Sequence, residues 1–245
     1  MHKHDSQRAA VAAAACPAGR LPQELIDQII DQLYVDKESL KSCSLTCKSW
    51  LLRSSQLLFG SYTVRGRQGD IDLILTIQAR SRISSNISSL TLDFTSFEHF
   101  GLIKALPHLR ELNIDGHSLP HHHLAQVYTY MPTVKSTGKT IDLLFMRNCP
   151  VFLVEWLMQP FMSIGLLKLS GIEGAPFQPH CADHVVATLV LCLLPVAVLG
   201  YLLMILDFSA VHWLTLELPS RFDAAYASIV DKSVQALGEQ IQVLR

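Results

Sequence analysis

The run VVATLVLCLLPVAVLGYLLMIL, from Val185 to Leu206, holds 22 residues without a charge, and its reading decides the fold. As one helix it would cover ~30 Å at ~1.5 Å per residue, the thickness of a bilayer core. Pro195 and Gly200 interrupt it, which membrane helices tolerate. Its flanks set no orientation: Asp183 and His184 precede it, Asp207 follows, and neither side has Lys or Arg next to it. The competing reading is a pair of buried segments. Pro195 divides the run into two pieces of about ten residues, ordinary lengths for buried elements, and a strand-like stretch, Trp213 to Leu218, follows. The buried pair is preferred, and a membrane-spanning helix over Val185–Leu206 is the reading it is weighed against.

Strand signals lie on both sides of this run. Ser89 to Phe94, Leu109 to Ile114, Leu166 to Ser170 and Trp213 to Leu218 alternate apolar with polar residues, and Leu112 and Ile114 point to one side. Ile141 to Phe145 is a weaker member, and Ser61 to Arg65 is rich in strand formers. The steps from Leu90 to Leu112, Leu143, Leu167 and Leu214 are 22, 31, 24 and 47 residues. Leucine-rich repeats recur every ~20–29 residues, and the segment ALPHLRELNI (residues 105–114) resembles degenerate repeats of that kind. That resemblance implies an irregular solenoid over residues 61–245, with a surface for a protein ligand. The Asn position of the repeat consensus is mostly missing. The alternative is an ordinary α/β domain with scattered strands.

Upstream the pattern turns helical. Leu25, Ile26, Ile29, Ile30 and Leu33 form one stripe, with Asp27, Gln28, Asp31 and Gln32 opposite. Pro22 suits the first helical turn and Glu24 complements its dipole. A second stripe uses Leu40, Cys43, Cys47, Trp50 and Leu51, with Ser39 as the expected cap. About 40 residues thus make two or three short amphipathic helices, too few for a thick core, so the apolar surface needs a partner.

The wording LPQELI (residues 21–26), IIDQL (29–33) and LKSCSLTCKSW (40–50) resembles an F-box, as found in fungal F-box proteins. The resemblance covers about a sixth of the chain. It implies a three-helix module over residues 20–60 that binds a Skp1-like adaptor, and through it a cullin, with Leu21, Pro22, Leu25, Ile29, Leu45, Cys47, Lys48 and Trp50 in the core or at the adaptor surface. The architecture so implied is α + α/β: a small N-terminal helical F-box, then an irregular leucine-rich-repeat-like solenoid that binds an unknown protein substrate. The implied role is a non-catalytic adaptor of a Skp1–cullin–F-box ubiquitin ligase. A Skp1-binding scaffold outside the ligase and a membrane-anchored F-box protein are the alternatives.

Composition narrows the remaining classes. At 49% hydrophobic and 17% charged the chain is too apolar for wholesale disorder. A net charge of -1 and the lack of any Lys/Arg block argue against nucleic-acid binding. Six cysteines, at 16, 43, 47, 149, 181 and 192, contain no Cys-x-x-Cys pair. They suggest reduced thiols in the cytoplasm or nucleus rather than a disulfide framework or zinc site. His117, His121, His122 and His123 lack thiol or carboxylate partners at ligand spacing, and suggest a polar loop. Asp223, Asp231 and Glu239 lie on the solvated side of a last helical stretch whose apolar side includes Tyr226, Ile229 and Val230. Residues 1–19 suggest a tail without a signal-peptide core. No motif for catalysis, cofactor or metal emerges, so none is expected.

Overall fold

The computed structural model describes residues 21–65, 77, 81–93, 98–117, 138–174, 184–207, 210–217 and 224–237. The expected tail, Cys16, Cys181 and the histidines 121–123 lie outside them. The chain divides into two compact units, Met1–Tyr62 and Thr63–Arg245.

The first unit contains α1 (Gln23–Asp31), α2 (Lys37–Thr46) and α3 (Lys48–Phe59). Pro22 precedes α1, and its carbonyl accepts the Leu25 and Ile26 N–H groups at 3.1 and 3.3 Å. Asp36, not the expected Ser39, caps α2, accepting from the Glu38 and Ser39 N–H groups. Its carboxyl is held below the usual carboxylate range, first by the Ser39 hydroxyl, which donates to it at 2.6 Å. The second apolar stripe does not run through one helix. Cys47 is extended (φ -161°, ψ 168°) and ends α2 before α3 begins. The core is small: Ile26, Ile30 and Leu40 are buried, with Leu33, Trp50, Leu57 and Leu58 packed against them. Arg53 joins α3 to α1 through a two-pronged contact with Asp31, Nε to Oδ1 at 2.6 Å and Nη2 to Oδ2 at 2.9 Å.

In the second unit the expected leucine-rich-repeat solenoid gives way to an α/β arrangement built on a single sheet. Its strands are β1 (Ser61–Val64), β2 (Ser89–Asp93), β3 (Glu111–Asp115), β4 (Lys139–Arg147), β5 (Phe161–Ser170), β6 (His184–Cys192), β7 (Leu206–Asp207) and β8 (Trp213–Glu217). The boundary between the units falls within β1. The order is β1-β2-β3-β4-β5-β6-β7, with β8 also on β6, and the pairs from β2 onward are parallel. The overturned expectation rested on intervals between strand signals. Alternation fixes where a strand lies, but irregular intervals do not establish a repeat.

Two apolar rows cross the sheet in register. Leu90, Leu112, Leu144, Leu167, Leu189 and Leu214 form one, and Leu92, Ile114, Met146, Leu169, Leu191 and Leu216 the other. All twelve are buried. Leu144, not Leu143, occupies the row in β4. A strand alternates its faces, so that one-residue difference places Leu143 on the opposite side. The helical segments are α4 (Ser81–Ser84), α5 (Glu98–Ala105), α6 (Val151–Met158), α7 (Val196–Ile205) and α8 (Ala224–Leu237). Leu102 and Ile103 of α5, every residue of α6, and Val198, Leu199, Tyr201 and Leu202 of α7 are buried. The leucine rows and these helix residues supply most of the unit's buried side chains.

The 185–206 run is resolved by its corner. Residues 185–192 belong to β6, Leu193 takes a left-handed conformation (φ 53°), and Pro195 stands at the N-cap of α7. Proline cannot donate within a helix but is at home at its start, so Pro195 begins a helix instead of kinking one. The same corner precedes α6, where Asn148 (φ 51°) is followed by Pro150 at the N-cap. Among the described residues no helix is long and apolar enough to cross a membrane.

Lys139, at the start of β4, donates from Nζ to the carbonyls of Lys104 at 2.9 Å, Leu106 at 3.1 Å and Ile103 at 3.5 Å, gathering the C-terminal end of α5. Burial pushes its ammonium below the usual lysine range. Lys139→Met removes the donor to all three carbonyls and should lower unfolding stability by about 1–3 kcal/mol in urea titration. The strand assignment of 185–192 is checked by neighbouring truncations. Leu189→Ala should cost about 2–5 kcal/mol, while Val190→Ala, on the opposite face, should cost under about 1 kcal/mol. A single helix in lipid would not separate these neighbours.

Candidate functional site

Two surfaces carry side chains that the interior does not use. The first is on the helical unit. Leu25 and Ile29 lie one turn apart on α1, on the side away from Ile26 and Ile30, and each is 45% exposed. Leu21, at 44%, precedes them, and Leu45, at the end of α2, is 87% exposed. Pro22 and Lys48 are exposed as well, and Cys47 is half-buried. Trp50 differs from the rest: its ring packs on the Ile26–Ile30–Leu40 core. Its Nε1 is buried without a hydrogen-bond partner among the described residues. The eight residues singled out in the sequence thus divide into exposed apolar side chains (Leu21, Pro22, Leu25, Ile29, Leu45), an exposed cation (Lys48), the half-buried Cys47 and a core anchor (Trp50). Tyr34, Val35, Leu51 and Leu52 are further exposed apolar side chains of this unit, outside those eight. Leu51 belongs to the second apolar stripe of the sequence, but the break at Cys47 turns it outward.

The second surface is the sheet face opposite the leucine rows. In register it presents Glu111, Leu143, Leu166, Thr188 and Trp213 in one row. Asn113, Phe145, Lys168, Val190 and Thr215 form the next, and Asp115, Arg147, Ser170, Cys192 and Glu217 the third. Apart from the buried Cys192 these are half-buried or exposed. The Lys168 ammonium lies 5.3 Å from the centre of the Phe145 ring, a cation–π arrangement. Trp213 Nε1 donates to the Thr215 hydroxyl at 3.2 Å. Asp115 accepts from Arg147 Nε at 2.7 Å, from the His117 N–H at 3.1 Å and from Asn148 Nδ2 at 3.2 Å. Burial alone would raise its carboxyl, but these donors outweigh burial and hold it below the usual carboxylate range. The sequence signal for this face was the out-facing half of each alternating strand, which reveals a surface without saying what it binds.

Four buried titratable groups of the second unit, Cys149, Cys192, Tyr201 and Glu155, are committed to structure. Burial raises Cys149 to about 12, and burial with the nearby Glu217 raises Cys192 to about 11, so neither thiol is a ready nucleophile. Buried Tyr201 donates its hydroxyl to buried Glu155 at 2.6 Å, and burial, then Glu155, push the phenol upward. Among the described residues no group of three or more His, Cys, Asp or Glu could hold a metal ion. Asp231 is exposed on α8, while Asp223 and Glu239 lie outside the described residues. No family model, no curated protein and no solved structure matches the chain.

The Asp115 cluster gives a pH-dependent expectation. A carboxyl depressed in the folded state stabilises it above the unfolded value, and that contribution fades as pH falls through the folded one. Asp115→Asn should therefore lose about 1 kcal/mol at neutral pH. The difference from wild type should shrink only below the ordinary carboxylate value of 3.8. Paired denaturant melts across acid pH would show it.

Proposed function

We propose that this chain is a non-catalytic F-box adaptor of a Skp1–cullin ubiquitin ligase. It docks on a Skp1-like protein through the N-terminal helices and holds a target protein with the second unit. The observation that carries this reading is the apolar surface of the helical unit. Leu21, Leu25, Ile29 and Leu45 stay in water while the unit buries only a thin core of its own. Exposed apolar side chains concentrated on so small a unit mark an interaction site, and the order of motifs from Leu21 to Trp50 says which kind. Lys48, exposed at the start of α3, adds a cation to the same module. The cytoplasm or nucleus, where such ligases work, suits the free thiols Cys43, Cys149 and Cys192.

The test is co-purification of the full chain with Skp1 and a cullin. Leu25→Asp with Ile29→Asp, or Leu45→Asp alone, alters exposed positions and should abolish Skp1 capture while leaving the helical circular dichroism unchanged. Changing Leu21 and Pro22 to Ala should weaken capture in the same way. Trp50→Ala should lose capture together with folding of the unit, since it removes core packing. Capture that survives all the exposed substitutions overturns the adaptor reading. Capture of Skp1 without cullin would replace the ligase role with a scaffold role.

A further inference from the structure

We propose that the sheet face opposite the leucine rows binds a linear peptide with an apolar centre and a Lys or Arg on each flank. The inference extends the adaptor reading to the delivered protein, and rests on that reading only in calling the ligand a delivery target.

The middle of this face is mainly apolar across four strands, with Thr188 and Lys168 set among the apolar side chains. Leu143 pairs in register with Leu166, and Leu166 reaches Trp213 through Thr188. One step along the strands, Phe145 reaches Val190 through Lys168. Trp213 is 38% exposed although it is the largest side chain available to fill a core. Its donor is already turned to Thr215, which leaves the ring to pack against a ligand.

The charges around this centre select the partner. Arg147 and Asp115 satisfy each other. Asp93, Glu111 and Glu217 then face a single cation on the described part of this face, Lys168, which lies over Phe145. Three acids against one base leave an excess of two negative charges. An acidic peptide or a nucleic-acid backbone would meet repulsion, whereas a basic-flanked segment meets complementary charge at both margins.

The register also sets a length. Glu111 on β3 and Glu217 on β8 are separated by four interstrand steps and by four residues along the strand direction. At ~4.8 Å per strand and ~3.3 Å per residue the diagonal is about 23 Å, which roughly seven residues of extended chain cover. The recognised segment therefore carries its two cations about seven positions apart with apolar residues between them.

Fluorescence anisotropy with the full-length protein tests this without any adaptor, so failure here and failure of Skp1 capture are separate results. Two dye-labelled synthetic peptides share a Leu/Phe centre and differ only in Lys or Glu at the two flanking positions. The Lys-flanked peptide should bind more tightly. The double variant Glu111→Lys with Glu217→Lys should weaken it about tenfold and should bind the Glu-flanked peptide better than wild type does. Asp231→Lys, an exposed reversal on α8, should change neither. Equal binding of the two peptides, an unchanged preference in the double variant, or the same loss from Asp231→Lys would each overturn the proposal. Thermal melts of each variant confirm that the sheet is intact.

Discussion

The second unit depends on the in-register stacking of leucines from β2 to β8. Six strands place Leu90, Leu112, Leu144, Leu167, Leu189 and Leu214 side by side. A second row two residues on repeats the arrangement. Each of these side chains gains about 1.5–3 kcal/mol on leaving water, but the consequence for function is geometric. Register in a parallel sheet has period two, so fixing the leucine rows on one face fixes every side chain on the other. The positions of Lys168 over Phe145, and of Glu111 and Glu217 at opposite margins, follow from the buried face and not from any contact among themselves. The left-handed corners at Asn148, Gly171 and Leu193 keep the pattern aligned, since β4, β5 and β6 all end at the same rung.

The helical unit has a different balance. Its interior is a few side chains deep, and among the described residues its central cluster has three fully buried hydrophobics, Ile26, Ile30 and Leu40. The Arg53–Asp31 contact is partly exposed, which limits what it contributes, and the Trp50 indole N–H is buried without a partner among the described residues. A unit of this size that keeps Leu25, Ile29 and Leu45 in water has not exhausted its hydrophobic driving force. A protein partner covering those side chains would add to the stability of the unit as well as to the affinity of the complex.

The sequence shows some of this directly and conceals the rest for identifiable reasons. The short strands around Leu90, Leu112, Leu167 and Leu214 alternate cleanly because one face is apolar and the other polar. In β4 the alternation breaks between Ile141 and Leu144, which are both buried, so Leu143 reads as the inward residue where Leu144 is. In β6 the outward positions include Val185 and Val190, so the strand has almost no polar phase and joins α7 in one apolar run. Helix α6 is buried on all sides, and a helix with no wet face leaves no 3.6-residue period to detect. Pro150 was the available signal for its start. At the N-terminal unit the stripe on α1 was visible, but periodicity cannot tell which of two adjacent apolar positions goes inward. Ile26 and Ile30 do, while Leu25 and Ile29 do not.

The two candidate surfaces differ in the kind of recognition they can support. That of the helical unit is almost wholly apolar, with Lys48 as a nearby cation. Such a surface gains affinity from area and shape, and discriminates poorly among apolar partners of similar contour. It suits a constant partner met by the same face each time. The sheet face mixes Leu143, Leu166, Phe145 and Trp213 with charges of both signs held at fixed rungs. On the proposed reading, mismatched charge opposite Glu111 or Glu217 would be penalised, and this face would discriminate by sequence even where its apolar area is modest. A constant attachment point and a selective one is the division of labour an adaptor requires. In the proposed adaptor it would follow from the thin core of the helical unit and from the one-faced leucine sheet of the second unit.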